Sequence, residues 1–186
     1  CKAAFEIIEG DAVQIRDTET TGFKIGMAIT PGSGQSVDWP SFDNLQLDVA
    51  EDYGMFISPT GTGNVNRLRC INCWISSTVT GPGVAIFGGG STSISNVEFI
   101  GGIISNNYAS GIFVDSLTTE GLSITGGTIN GNNQSAGFSS GVQISNVNTM
   151  KIHGSKIGDD VSSVIQFSGV GMAAVSAGAV TISDNN

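Results

Sequence analysis

The chain has 186 residues and a formal charge of −9, with 7 Lys plus Arg against 16 Asp plus Glu. Charged residues make up only 12% and glycine fills 27 positions, so the surface is expected to be polar but largely uncharged. A nucleic-acid partner is excluded because nothing would neutralise its phosphates, and no apolar run is long enough to span a membrane. An anionic glycan would also need a basic patch, and none stands out along the sequence.

Residues 1–41 read as an N-terminal capping or early-coil segment. Within it AVQI (Ala12 to Ile15) and GFKIGMAI (Gly22 to Ile29) alternate as strands do. The stretch Thr30 to Pro40, TPGSGQSVDWP, has the Gly, Pro and Ser density of a loop, and Trp39 is expected to cover one end of the fold. The chain begins at Cys1 without Met, shows no leader segment and stops inside a repeat, so it reads as a piece of a longer protein.

From Phe42 to residue 186 an eight-residue unit recurs: LRCINCWI (Leu68 to Ile75), VEFIGGII (Val97 to Ile104), LSITGGTI (Leu122 to Ile129) and MKIHGSKI (Met150 to Ile157). A further copy starts at Val180, and LQLDVAED (Leu45 to Asp52) reads as a degenerate first one. The intervals between the last five starts are 29, 25, 28 and 30 residues, a period that points to a solenoid. Positions one, three and eight are apolar and predict core ladders. A second strand follows in each coil: GMFI at Gly54, GVAI at Gly83, GIFV at Gly111 and GVQI at Gly141. Helices are excluded by the short segments, the β-branched residues and the recurrent glycine. Asn106, Asn107, Asn132, Asp159 and Asp160 follow the unit, where they can hydrogen-bond tight-turn backbone.

These features predict an all-β parallel β-helix of about five to six coils. Stacked apolar units with Asn-rich turns resemble the right-handed parallel β-helix of the pectate-lyase-like superfamily, over about residues 42–186. The low charge and irregular coils resemble, among its members, bacteriophage tailspike and tail-fibre proteins. The resemblance implies a homotrimer on the virion tail that binds, and could cleave, a bacterial surface polysaccharide. A structural or adhesive spacer without catalysis, and a secreted polysaccharide lyase or hydrolase, are the alternatives.

Glycoside hydrolysis needs two carboxylates, about 5 to 5.5 Å apart for retention and roughly 6.5 to 9.5 Å for inversion. No repeat column aligns two acids, which leaves Asp115 and Glu120, either side of a turn, as the catalytic candidates. The candidate substrate-binding residues are Trp74, Tyr108, Asn132, Asn133 and Gln134. Trp74 and Ile103 share an outward position on neighbouring coils, so a subunit interface competes with a sugar platform there. Arg69 and Glu98 share another column and read as a cross-strand pair. His153 is the single histidine, and Cys70 and Cys73 form only half of a metal-binding pattern; no metal or cofactor site is expected. Cys70 falls at a core position and reads as a free buried thiol.

Overall fold

Alternating short strands with a turn residue every few positions cannot bury their apolar side alone, so the chain must stack on itself. A computed structural model describes residues 2–115, 119–132, 140–158, 168–172 and 180–184. It is a parallel β-solenoid of about five turns, with no helix among the described residues.

Each coil visits three faces. The first is a seven-stranded sheet that includes Ile25–Ile29, Tyr53–Ile57, Val84–Phe87, Ile112–Asp115 and Ser140–Asn146. The second is five-stranded and includes Ser36–Asp38, Asn64–Asn66, Ser93–Ser95 and Thr119–Glu120. The third, eleven-stranded, is bent into two halves, as in Arg69–Ile71 followed by Trp74–Ser76. Every pairing is parallel, so each coil lays equivalent residues over those of the coil before.

The corners explain the sequence's Asn, Asp and Gly. Between the halves of the third face, Asn44, Asn72, Gly101, Gly126 and Gly154 all take positive φ. This left-handed geometry turns the chain sharply and is tolerated best by Gly, Asn and Asp. Asn72, Gly101, Gly126 and Gly154 each donate their N–H to the following coil, as Asn72 does to the Ile100 carbonyl at 2.8 Å and Gly101 to the Thr125 carbonyl at 2.8 Å.

Inside, the predicted ladders are present. Cys70, Phe99 and Ile124 pair across successive coils, as do Ile75, Ile104 and Ile129, and all are buried. The earliest copy of the unit differs from its expected register. Phe42 pairs with Cys70 and Leu47 with Ile75, so the copy runs from Pro40 to Leu47, not from Leu45 to Asp52. Its eighth residue is therefore the fully buried Leu47. The solenoid pairing also begins upstream of Phe42: Ala3–Ile7 pairs with Ile25–Ile29, and Gln14–Thr21 with Ser41–Asp48. Polar Thr18 and Thr20 oppose Leu45 and Leu47 there, which hides the unit from a hydropathy reading. Trp39 does not cover an end. It occupies the corner between the second and third faces, with φ 56° and 52% of its surface exposed.

Cys70 is not a free thiol either. It is disulfide-bonded to Cys73 across the Asn72 corner. Spacing alone does not reveal this bond, because the left-handed turn at Asn72 is what brings the two inward side chains together.

Thr119 is the odd member of the second-face ladder Val37, Val65, Ile94, Thr119. It is fully buried and its hydroxyl has no hydrogen-bond partner. An unpaired buried hydroxyl costs roughly 1 to 3 kcal/mol. Thr119→Val keeps the shape, and is expected to raise stability by about 1 kcal/mol in urea unfolding.

Candidate functional site

Outward positions of the first face carry an aromatic row. Parallel register places Phe56, Ala85, Phe113 and Gln143 in one column, and Ala85 leaves a gap between the two rings. Phe87, two residues along its strand from Ala85, fills that gap. Its ring centroid lies 5.8 Å from that of Phe56 and 5.6 Å from that of Phe113. Tyr53 stacks on Phe56 at 4.9 Å. Centroid separations of this size are ordinary for favourable aromatic pairs, and they hold the rings in a fixed surface instead of leaving each to its own rotamers. Ala85 is fully buried beneath them.

Two depressions flank Phe87. One, of about 220 Å³, lies among Tyr53, Pro82, Phe87 and Phe113 and is closed on one side by Ser110 and Gln143. There the Ser110 hydroxyl donates to the Gln143 side-chain oxygen at 2.8 Å, which fixes the amide. The other, of about 400 Å³, runs from Phe87 between the Ser58 to Gly61 turn and Asp115. Asp115 follows Phe87 directly in register on the next coil, which is how a carboxylate comes to stand beside a ring. The combined groove offers apolar ring surface, hydroxyls from Ser58 and Thr60, and one acid, while the buried Thr92 hydroxyl is bonded to the Gly89 backbone.

The sequence candidates separate in space. Asp115 lies in this groove. Glu120 stands on the second face, exposed, and its carboxylate accepts from Asn148 Nδ2 at 3.3 Å. The two acids therefore end strands of different sheets, and Asp115 is the one carboxylate among the described residues lining the two depressions. Trp74 is 48% exposed on the third face, between Gln46 and Ile103 of the adjoining coils. Tyr108 is exposed in the turn that leads to the groove residues Ala109 and Ser110.

Asn132 does not face solvent. It and Asn107 are fully buried, forming a ladder inside the corner that follows the third face. Asn107 Nδ2 donates to Asn132 Oδ1 at 2.8 Å and to the Ile75 carbonyl at 3.4 Å. Asn132 Nδ2 donates to the Ile104 carbonyl at 3.0 Å, and Asn107 Oδ1 accepts from the Thr78 N–H at 3.2 Å. These amides serve the backbone, as buried polar groups must, and are unavailable to a ligand. Asn133, Gln134, Asp159 and Asp160 lie outside the described residues. His153 is partly exposed at the far end, with Nδ1 3.3 Å from Asp184 Oδ2. Arg69 and Glu98 form the expected cross-coil pair at 3.1 Å.

The aromatic row escaped the sequence reading because its members occupy different slots of the coil. The signal was present in GMFI and GIFV, where a ring takes the outward position of an otherwise small-residue strand. No group of three or more potential metal ligands occurs among the described residues.

No protein-family model, curated protein or solved structure matches the chain. The parallel β-solenoid is shown by the coordinates themselves.

Proposed function

We propose that the protein binds a bacterial surface polysaccharide along its first face, as part of an extracellular receptor-binding solenoid of the phage-tail kind. The observation that carries this reading is the outward row Tyr53, Phe56, Phe87 and Phe113, with Asp115 and the Ser58 to Gly61 turn beside it. Sugar rings present C–H faces that pack on aromatic rings and hydroxyl edges that need acceptors and donors, and this groove offers both. A polar surface with few charges suits a neutral, heavily hydroxylated ligand. The Cys70–Cys73 disulfide fits the oxidising surroundings of an extracellular protein.

Binding takes precedence over cleavage in this reading. Hydrolysis by the two-carboxylate route requires a second acid within about 10 Å across the scissile bond. The described groove supplies Asp115 alone. Trp74 and Ile103 belong, in the same reading, to the contact between copies of a homotrimer, since isolated apolar steps on a polar wall suit such a contact.

Affinity electrophoresis through gels containing capsular or lipopolysaccharide glycans tests the proposal. Retardation in at least one glycan, with no release of reducing ends from it, is expected. Unretarded migration in every glycan tried would remove the binding reading, and release of reducing ends would replace it with the depolymerase alternative.

A further inference from the structure

The fold places one uncompensated arginine at a cleft beside an aromatic ring. Only three arginines occur in the chain, and two of them, Arg67 and Arg69, line one cleft of about 340 Å³ with Trp39, Asn96 and Glu98. The cleft lies at the corner between the second and third faces, where Asp38 and Asn66 are in register, so that Trp39 and Arg67 follow on adjacent coils. The Arg67 guanidinium carbon sits 4.1 Å from the centre of the Trp39 ring. Arg69 donates from Nε to Glu98 at 3.1 Å, so these two neutralise one another. Arg67 has no carboxylate partner among the described residues.

We propose that this cleft is a second binding site, selective for a sugar that carries a single carboxylate. A guanidinium held over an aromatic face can still offer N–H groups for the paired bonds that match a carboxylate, and loses little freedom on binding. Trp39 offers ring surface at the cleft mouth, and the Asn96 amide can serve hydroxyls. Glu98 sets the charge preference. With Arg69 and Glu98 paired, one positive charge remains, so the second charge of a doubly charged ligand finds no further uncompensated cation among the described residues lining the cleft.

Trp39 and Arg67 adopt φ 56° and 57°, the left-handed corner geometry that Ala12 on the coil before and Asn96 and Gly121 on the coils after also take, so the pair stands on a corner that recurs along the stack. The site is independent of the first-face groove, which lies elsewhere around the coil, so either can fail without the other.

The test is calorimetric titration of the chain with glucuronate, glucose and glucose 6-phosphate, alongside NMR observation of the Trp39 indole N–H. Saturable binding of glucuronate that moves the Trp39 resonance is expected, with glucose silent and the phosphate weaker than the carboxylate. Arg67→Gln should weaken glucuronate at least tenfold with little change in the unfolding midpoint, and Arg67→Gly should weaken it as much while raising the midpoint, since glycine takes the left-handed φ without strain. Equal response to glucose and glucuronate, tighter binding of the phosphate, or unaltered glucuronate affinity in both Arg67 variants would overturn the assignment.

Discussion

Replacing Gly111 by alanine is expected to cost about 3 kcal/mol, because an added methyl overpacks a part of the core that has nowhere to yield. A Cβ built at Gly111 would lie 2.6 Å from Ile129 Cγ2, 2.8 Å from Asn132 Nδ2 and 2.8 Å from the Gly141 carbonyl oxygen. Three different neighbours would have to move, and one of them belongs to the buried asparagine ladder. The position recurs as glycine on the neighbouring coils, with Ala4 in its place on the first strand of that face. Gly26 faces the Gly54 carbonyl at 2.7 Å, and Gly83 faces that of Gly111 at 2.9 Å. The GxxI motif thus reports close coil-to-coil approach, not backbone freedom. Gly126 provides the contrast, since it has φ +69° and nothing within 4 Å of its would-be Cβ. Gly126→Ala should cost only about 1 kcal/mol, the strain of a left-handed alanine. Urea midpoints of the two variants check the order, and a Gly126 variant less stable than the Gly111 one would contradict it.

The second large effect is expected at Asn107. Its amide satisfies the Ile75 carbonyl, Asn132 Oδ1 and the Thr78 N–H from a position with no solvent exposure. Truncation to alanine takes the amide away from the Ile75 carbonyl and the Thr78 N–H, while Asn132 Oδ1 keeps the Asn107 backbone N–H at 3.2 Å; each buried group left without a partner costs roughly 1 to 3 kcal/mol. A loss of about 3 kcal/mol is expected for Asn107→Ala, larger than a cavity of that size alone would give. Hydrogen exchange adds a local readout: protection of the Thr78 amide should fall ahead of that of the core strands. Unchanged Thr78 protection would show that the ladder is dispensable.

These two sites show where sequence reading succeeds and where it stops. Apolar residues at positions one, three and eight were legible because strand periodicity and parallel stacking leave one solution for them. The first copy's register was not, because Leu45 and Leu47 alternate just as positions one and three do. Only the pairing of Phe42 with Cys70 decides between the two frames. Asn132 looked like a surface turn residue, since nothing in NGN tells an inward amide from an outward one. The aromatic row and the Trp39 to Arg67 cleft both join residues from different coils, Trp39 and Arg67 being 28 residues apart in the chain. Such sites depend on register, which motif matching along a single coil does not supply. Asp115 was legible as a strand-end acid, and the structure adds the ring beside it.

In the proposed function the outward face of the first sheet holds the ligand. The most direct test compares polysaccharide affinity of Phe87→Ala and Trp74→Ala with that of the parent chain, using a glycan that retards the parent in affinity electrophoresis. Phe87 lines both depressions, so its removal should weaken binding at least tenfold, whereas Trp74→Ala should bind as the parent does and alter only self-association. Full affinity in Phe87→Ala, or loss of binding in Trp74→Ala with association intact, would place the ligand on another face and remove the first-face groove as its site.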